Sequence, residues 1–460
     1  MGKRQILLRA LPPLARFDHG NKDMSTLIYW FRNDLRLHDN PAFSQAAANA
    51  SALLPVYCLG SASASHNGDA RWGAMQSSVH RQRVLCDSLL DLHAQLQSLG
   101  SGLTVFAQAP ADILPRLAHT LGVQTIHCES IAATHEQAEI AALVNAGIDV
   151  VQTWQSSLFQ PHQLPFALPE LPAVFTVFRQ TLEHHRCRPD TPSPAVAALP
   201  SLPSQAHGYG TVDLTRHAQQ LPQGIADARS SLPYWQSGFA GGERAALAHL
   251  RRYFASDLPR HYKATRNGLR GVDFSSKLSG WLASGALSPR WVAAEIARYE
   301  NRIGPNEGTP WLLQELLWRD YFRLLHLQHG AKLFRYRGLS GKTPVVHHTN
   351  ATFTRWCLGR TGEPLVDAAM HELLATGYLS NRLRQVVASY LVYELACDWR
   401  AGAAWFEAQL IDYDVYNNQG NWLYIAGKGC DPRGGRHFNV DKQADTYDPD
   451  GRYRSLWQQP

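Results

Sequence analysis

The sequence predicts an N-terminal doubly wound parallel α/β domain, a long connector and a C-terminal all-helical domain. Three observations carry this. Short apolar runs alternate with helical patterns through residue 155. Prolines then crowd residues 161–233, which hold 11 of the 26. From about residue 240 the strand signal gives way to successive helices. The domains are expected at 24–160, 161–235 and 236–460.

The strands come first. "TLIYWF" (26–31), "ALLPVYCL" (52–59), "LTVFAQ" (103–108), "TIHCE" (125–129) and "DVVQTW" (149–154) read as short buried strands. Helical patterns separate them, most clearly over 76–98. Parallel neighbours need a crossover, so this alternation predicts a parallel sheet covered by helices on both faces. No GxGxxG follows the first strand and no GxxxxGK[ST] occurs, so dinucleotide and P-loop readings lack their signatures.

Ser, Gln and Ala lie among the prolines of the connector, which reads as poor in regular elements. Beyond it, Ser288-Pro289, Thr309-Pro310 and Pro364 open helices, each placing proline in the first turn, where a missing N–H costs nothing. Gly377 fits a helix stop and Ser380 the N-cap of the next helix. After about residue 410 the expectation is an irregular, Gly-rich and aromatic stretch ending in "DPRGGRHFN".

The chain has 460 residues, 45% hydrophobic and 18% charged, enough for a large core. No apolar run reaches membrane-spanning length, so no transmembrane helix is expected. The 7 cysteines are scattered without a CxxC pair. That argues against a disulfide framework or a structural zinc site and for a reducing, cytoplasmic location. Residues 1–23, with Lys3, Arg4, Arg9 and Arg16, read as an extension upstream of Met24 in preference to a targeting segment. Residues 1–229 carry 16 Lys+Arg against 17 Asp+Glu, and residues 230–460 carry 28 against 21. The basic excess of the second half fits a polyanionic partner and fits a merely basic surface equally well.

Several helix faces mix polar groups with rings. In "TPWLLQELLWRDYFRLL", Trp311, Glu315, Trp318, Arg319 and Phe322 share one face. Glu315 and Arg319 read either as an i,i+4 surface pair beside core tryptophans or as part of a site. Asn381 and Arg384 share a face, while Leu383, Val386, Val387 and Tyr390 form a buried stripe. Asp412, Asp414 and Asn418 follow in "IDYDVYNNQGNWLY". Aspartates and asparagines around one arginine suit a planar heterocycle read along its edge. In "FSSKLSGWLASGALSPR", Ser275, Ser276, Leu278 and Ser279 form a small-residue turn able to hold a pyrophosphate.

These segments resemble the DNA photolyase/cryptochrome family. "YWFRNDLRLHDNPAF", "YKATRNGLRGVDFSSKLSGWLASGALSPRW", "ELLWRDYFRLL", "GRTGEPLVDAAMHELLATGYLSNRLRQVVASYLV" and "DWRAGAAWFEAQLIDYDVYNNQGNWLYIAG" match in order from about residue 26 to 457. "RYRGLSG", "SNRLRQVVASYLV", "IDYDVYNNQGNWLY" and "DPRGGRHFN…YDPDG" are similar to the DASH-type cryptochromes.

The resemblance implies FAD, bound noncovalently and folded back on itself in the helical domain. By motif, Ser275, Ser276, Leu278 and Ser279 hold its phosphates with Tyr262 nearby, and Glu315 and Arg319 line the cavity. Asn381, Arg384, Asp412 and Asp414 surround the isoalloxazine and ribitol, and Asn418 faces flavin N5. Trp422 and Trp399 match the proximal and middle members of the family's tryptophan chain. The outer member falls near Val346, in "KTPVVHHTN", leaving Trp356 or a surface tyrosine to substitute.

The implied substrate is DNA, single-stranded or looped, carrying a cyclobutane pyrimidine dimer flipped into the cavity. Glu315 matches the acid that contacts the flipped bases, and Trp318 and Tyr424 match aromatics that pack on them; Asn381 joins this catalytic group. The implied reaction is a carbon–carbon lyase step driven by electron donation from excited FADH⁻. The α/β domain is expected to carry a methenyltetrahydrofolate antenna contacted by Glu129. Gly280 replaces a usual Pro, and Cys430 sits where Asp or Asn-like residues are common. A monomer without membrane attachment is expected. A second reading keeps the flavin and DNA binding but makes the protein a blue-light photoreceptor with little repair.

Overall fold

The computed structural model describes residues 25–61, 72, 77–203, 211–222, 225–342, 346–431 and 434–459. The expectations for residues 1–24 and for Pro432-Arg433 lie outside these described residues.

Five strands, β1 Thr26–Phe31, β2 Ala52–Cys58, β3 Thr104–Phe106, β4 Thr125–Glu129 and β5 Asp149–Thr153, pair in parallel in the order β3-β2-β1-β4-β5. The helices between them are α1 Pro41–Asn49, α2 Val79–Ser98, α3 Pro110–Leu121 and α4 Thr134–Asn145. The central strand shows why the sheet needs helices on both sides. Leu27, Tyr29 and Phe31 enter a core with Phe43 of α1 and Leu89, Leu92 and Leu96 of α2. Ile28 and Trp30 enter the opposite core with Ile113, Leu114 and Leu117 of α3 and Ile140 and Leu143 of α4. Such a doubly buried strand reads as one apolar run.

The connector carries α5 Phe175–His184 and α6 Leu214–Gln220. Phe175, Phe178 and Leu182 of α5 are buried in the helical core. The remaining helices are α7 Glu243–Ala255, α8 Leu258–Thr265, α9 Ser279–Ser284, α10 Pro289–Ile303, α11 Thr309–His329, α12 Asn350–Cys357, α13 Pro364–Thr376, α14 Asn381–Ser389, α15 Trp399–Gln409, α16 Val415–Ile425, α17 Val440–Tyr447 and α18 Arg452–Leu456. The start and stop signals act as expected. Ser288 caps α10, Ser380 caps α14, and Gly377 ends α13 in the left-handed region at φ 68°. No helix among the described residues is long and apolar enough to cross a membrane.

One expectation is overturned. The stretch after residue 410 is not irregular throughout: Val415–Ile425 forms α16, capped by Asp414, whose Oδ1 accepts from the Asn417 N–H at 2.8 Å. Gly420 sits inside this helix because α11 passes close by. A Cβ there would collide with the Phe322 ring. The glycine serves close approach between helices and does not break the helix.

The helical part holds two apolar cores. One gathers α5, α7 to α11 and the start of α16; the other gathers α12 to α18, including the rest of α16. The α/β domain is tied to them by buried polar contacts. Asp39 receives Arg290 Nε and Nη2 at 2.9 and 2.8 Å. Asp320 of α11 accepts the Leu158 and Phe159 N–H groups at 2.8 and 3.0 Å.

Candidate functional site: a cavity between the two helical cores

A cavity of about 380 Å³ opens between the cores. Its walls include Leu312, Trp318 and Phe322 from one core and Phe406, Leu410 and Trp422 from the other. The cavity brings together Tyr262, Ser275, Ser276, Leu278, Ser279, Glu315, Trp318, Arg319, Asn381, Arg384, Asp412, Asp414, Asn418, Trp422 and Tyr424. These residues come from segments far apart in sequence.

At one end lies the serine turn. Ser275 and Lys277 have left-handed backbones, φ 65° and 56°, and Leu278 is right-handed helical. Successive left- and right-handed residues make neighbouring N–H groups converge into an anion-binding concavity. The turn is fixed from behind by His249. Arg252 Nη2 donates to His249 Nδ1 at 2.8 Å, so Nε2 carries the ring proton and donates to the Ser276 carbonyl at 2.9 Å. Burial lowers the His249 pKa to about 4, which keeps the ring neutral. Lys277 beneath the turn is also buried, and burial lowers its pKa to about 8 against the pull of Glu372.

The middle of the cavity carries paired charges. Arg384 Nη2 donates to both oxygens of Asp412, at 2.9 and 2.8 Å, and its Nε donates to the Leu379 carbonyl at 3.0 Å. Asp414 stands 3.8 Å from Arg319. Arg319 also donates to the carbonyls of Ser156 and, at 3.1 Å, Leu282, while its buried Nε has no partner among the described groups. The Asn418 amide donates through Nδ2 to the Ala403 carbonyl at 3.0 Å, which leaves its oxygen as the end available to the cavity. Hydroxyls and converging N–H groups at one end, a buried arginine donor and paired carboxylates in the middle, and an aromatic wall form a donor set that fits a dinucleotide carrying a planar ring.

Glu315 does not pair with Arg319, four residues on. It forms an ion pair with Arg266, at the C-terminus of α8. Burial lifts the Glu315 carboxyl above its usual range, with Arg266 opposing. Above it the aromatics interlock. Trp318 is edge-on to Tyr424 at 5.9 Å and stacks on Phe175 of α5 at 3.7 Å with a 12° interplanar angle. Arg436 Nε donates to the Tyr424 hydroxyl at 2.9 Å. The sequence reading missed Arg266 and Phe175 as members of the site; only the position of Arg266 inside the family-like "YKATRNGLRGVDFSSKLSGWLASGALSPRW" marked it.

The tryptophans divide. Trp422 lines the cavity and is buried. Trp399 lies in the same core, its indole N–H donating to the Tyr336 carbonyl at 3.2 Å. Trp356 is fully buried and edge-on to Trp422, centroids 6.4 Å apart. It therefore cannot serve as an outer, solvent-facing end. Glu129 lies away from the cavity. It is 0% exposed at the end of β4 and 3.5 Å from Arg323 of α11. It sits where strand order reverses between β1 and β4, the usual ligand crevice of such sheets. Here the helical domain closes that point, and burial lifts the Glu129 pKa to about 7 with Arg323 opposing.

The model described as DNA photolyase matches residues 27–198, and that described as the FAD binding domain of DNA photolyase matches residues 311–459. Cryptochrome DASH of Gloeobacter violaceus is 40% identical over 438 residues, covering 94% of this chain and 85% of that protein. Cryptochrome DASH of Synechocystis is 41% identical over 443 residues, covering 94% and 87%. The Synechocystis cryptochrome crystal structure superposes with a TM-score of 0.85 at 40% identity, covering 94% of this chain and 88% of that one. A class III photolyase from Agrobacterium tumefaciens superposes with a TM-score of 0.78 at 26% identity, covering 95% and 86%. The chain belongs to the DASH cryptochromes of the DNA photolyase/cryptochrome family and carries that family's FAD-binding domain.

Proposed function

We propose that this flavoprotein splits cyclobutane pyrimidine dimers under blue light, in single-stranded or looped DNA. One observation carries the reading. Glu315, Trp318, Asn381 and Tyr424 border the same cavity as Ser275, Arg384, Asp412, Asn418 and Trp422. A flipped pyrimidine dimer entering over the first group meets a ring held by the second.

FAD, when bound, supplies the light absorption and the one-electron chemistry. The residues supply the rest. The 275–279 turn binds the pyrophosphate, and Tyr262 packs beside it. Arg384, held by Asp412, and Arg319, beside Asp414, donate along the polar edge. Asn418, its amide nitrogen committed to the Ala403 carbonyl, would offer a neutral acceptor oxygen toward N5, which suits a reduced ring carrying a proton there. Trp318 and Tyr424 give flat apolar surfaces to extruded bases, and stacking on such surfaces stabilises each base by roughly 1–3 kcal/mol. Glu315, whose carboxyl burial raises and Arg266 holds back, offers a polar contact to the pyrimidine edges. The second half's surplus of basic residues supports phosphate binding. A folate antenna is part of the proposal only as a bound chromophore of the α/β domain. The burial of Glu129 makes it a weak contact for one.

The test is direct. The purified protein, flavin reduced, is illuminated with dimer-containing single-stranded and duplex oligonucleotides. Light-dependent loss of dimers, faster on the single strand, is expected. Tight binding without any loss on either substrate would replace repair with the photoreceptor reading.

A further inference from the structure

By the family resemblance, the outermost tryptophan falls near Val346. Two residues on, His348 stands edge-on to Trp72, ring centroids 5.2 Å apart. Trp72 belongs to the segment between β2 and α2, in the α/β domain, yet it packs against the helical core that holds Trp356, Trp399 and Trp422. It is partly exposed, unlike those three. An unbroken row of rings leads to it. Trp356 follows Trp422 at 6.4 Å, Phe353 follows at 5.9 Å, His348 at 5.5 Å and Trp72 at 5.2 Å. The guanidinium of Arg400 lies 5.7 Å from the Trp72 ring and 5.0 Å from the Tyr336 ring.

We propose that Trp72 is the outermost electron donor in light-driven flavin reduction, reaching across from the α/β domain to replace the tryptophan absent at position 346. This rests on the photochemical reading above. With FAD bound, Trp422 would give one electron to the photoexcited oxidised ring, the hole would pass to Trp356, and one electron from Trp72 would fill it. Trp72, in contact with solvent, releases its indole N–H proton to water. A thiol in solution then returns one electron and one proton.

Two features favour Trp72 over Tyr336 as the terminus. An indole is oxidised without first losing a proton, whereas a phenol must give one up. Burial and then Asp398 push the Tyr336 phenol pKa upward, which makes that harder. Arg400 beside Trp72 would oppose a positive hole, but Asp398 offsets its charge, accepting from Arg400 Nε and Nη2 at 3.1 and 2.7 Å. Burial lowers the His348 pKa, which disfavours a charge on the intervening imidazole.

The experiment compares wild type with Trp72→Phe, Trp422→Phe and the double variant Trp72→Phe/Val346→Trp, all loaded with FAD, illuminated without oxygen in the presence of a thiol. Trp422→Phe is expected to abolish flavin reduction. Trp72→Phe is expected to slow it several-fold, with flavin content and Tm unchanged, and Val346→Trp to restore it. Two readouts do not depend on turnover. The tryptophan radical seen by transient absorption should decay faster in Trp72→Phe, and mass spectrometry after illumination in air without thiol, where O2 traps the radical, should find oxidation at Trp72. A normal rate and radical lifetime in Trp72→Phe, with Trp422→Phe inactive, overturn the assignment of Trp72 and leave the photochemical reading standing. A normal rate in Trp422→Phe defeats the photochemical reading itself. If Trp72→Phe loosens the fold, rescue by Val346→Trp still decides: no recovery of rate in the double variant overturns the proposal.

Discussion

Both carboxylate oxygens of Asp412 accept from one guanidinium nitrogen of Arg384, at 2.9 and 2.8 Å, inside the cavity. Asp412 is 1% exposed in its side chain and Arg384 23%. The acid thus holds the arginine in one orientation from its protected side and leaves the other side of the guanidinium to a ligand. A second nitrogen, Nε, is taken up by the Leu379 carbonyl, and Nη1 is the third.

Asp412→Asn removes the charge that compensates Arg384 and turns one acceptor into a donor facing a donor. A lost charge-assisted hydrogen bond in a buried setting costs about 1–3 kcal/mol, so FAD binding should weaken by about 10- to 100-fold. Titration of the flavin-free protein with FAD, followed by flavin fluorescence, checks this. An unchanged Kd would remove Arg384 from the cofactor's contacts.

Gly420→Ala sets two known magnitudes against each other. Alanine inside a helix is favoured over glycine by about 1 kcal/mol. The added Cβ, however, meets the Phe322 ring, itself packed on Trp318 at 5.4 Å and Tyr321 at 6.2 Å. Overpacking of this kind costs about 1–3 kcal/mol. Net destabilisation of the FAD-loaded protein is therefore expected in a denaturant titration. Net stabilisation near the propensity value would mean that α11 and α16 are not in close contact.

That glycine also shows where the sequence stops being readable. The strands were legible to within a residue or two, because parallel strands buried on both faces leave continuous apolar runs such as Thr26–Phe31. Helix ends were legible at Ser288, Ser380 and Gly377 because caps are local chemistry. In α16, Asn417, Asn418 and Gly420 send loop signals, and only the neighbouring Phe322 explains them. The cavity residues were recovered through family resemblance. Arg266, 49 residues from Glu315, and Phe175, in the connector, join the site through tertiary contacts that no spacing rule encodes.

Glu372 gives a pH prediction. It is 0% exposed, accepts from Ser231 Oγ at 3.0 Å and from the Tyr453 hydroxyl at 2.6 Å, and its pKa rises to about 7. Burial raises it; the two hydrogen bonds and Lys277 hold it back. In the unfolded chain the value is about 4.3. The folded state therefore binds the proton more tightly. Its contribution is fully present below about pH 4.3 and is lost as pH rises through about 7, on the order of 4 kcal/mol at most. Glu372→Gln stays neutral throughout, so its stability relative to wild type should increase between about pH 5 and about pH 7. Urea unfolding of both proteins at the two pH values measures it. A constant difference would show that Glu372 does not carry a raised pKa.

The stack of Phe175 on Trp318 predicts a role for the connector in substrate binding. Trp318 is held on one face by Phe175 at 3.7 Å and at its edge by Tyr424 at 5.9 Å, and Tyr424 is held by Arg436. A base entering the cavity thus meets rings that are already fixed, and the ordering cost falls on folding, not on binding. Phe175→Ala would open a void costing about 3–5 kcal/mol and would confuse binding with stability. Phe175→Leu keeps most of the volume and removes only the aromatic pairing, which contributes about 0.5–1.5 kcal/mol. If that pairing orients Trp318, the variant should keep its flavin spectrum and bind dimer-containing single strands several-fold more weakly. Its affinity for undamaged single strands, which need only phosphate contacts, should not change. Fluorescence anisotropy with the two oligonucleotides separates the cases. Equal weakening on both would assign Phe175 to the general DNA surface, and no weakening on either, with Trp318→Ala impaired, would show that Trp318 needs no support from the connector.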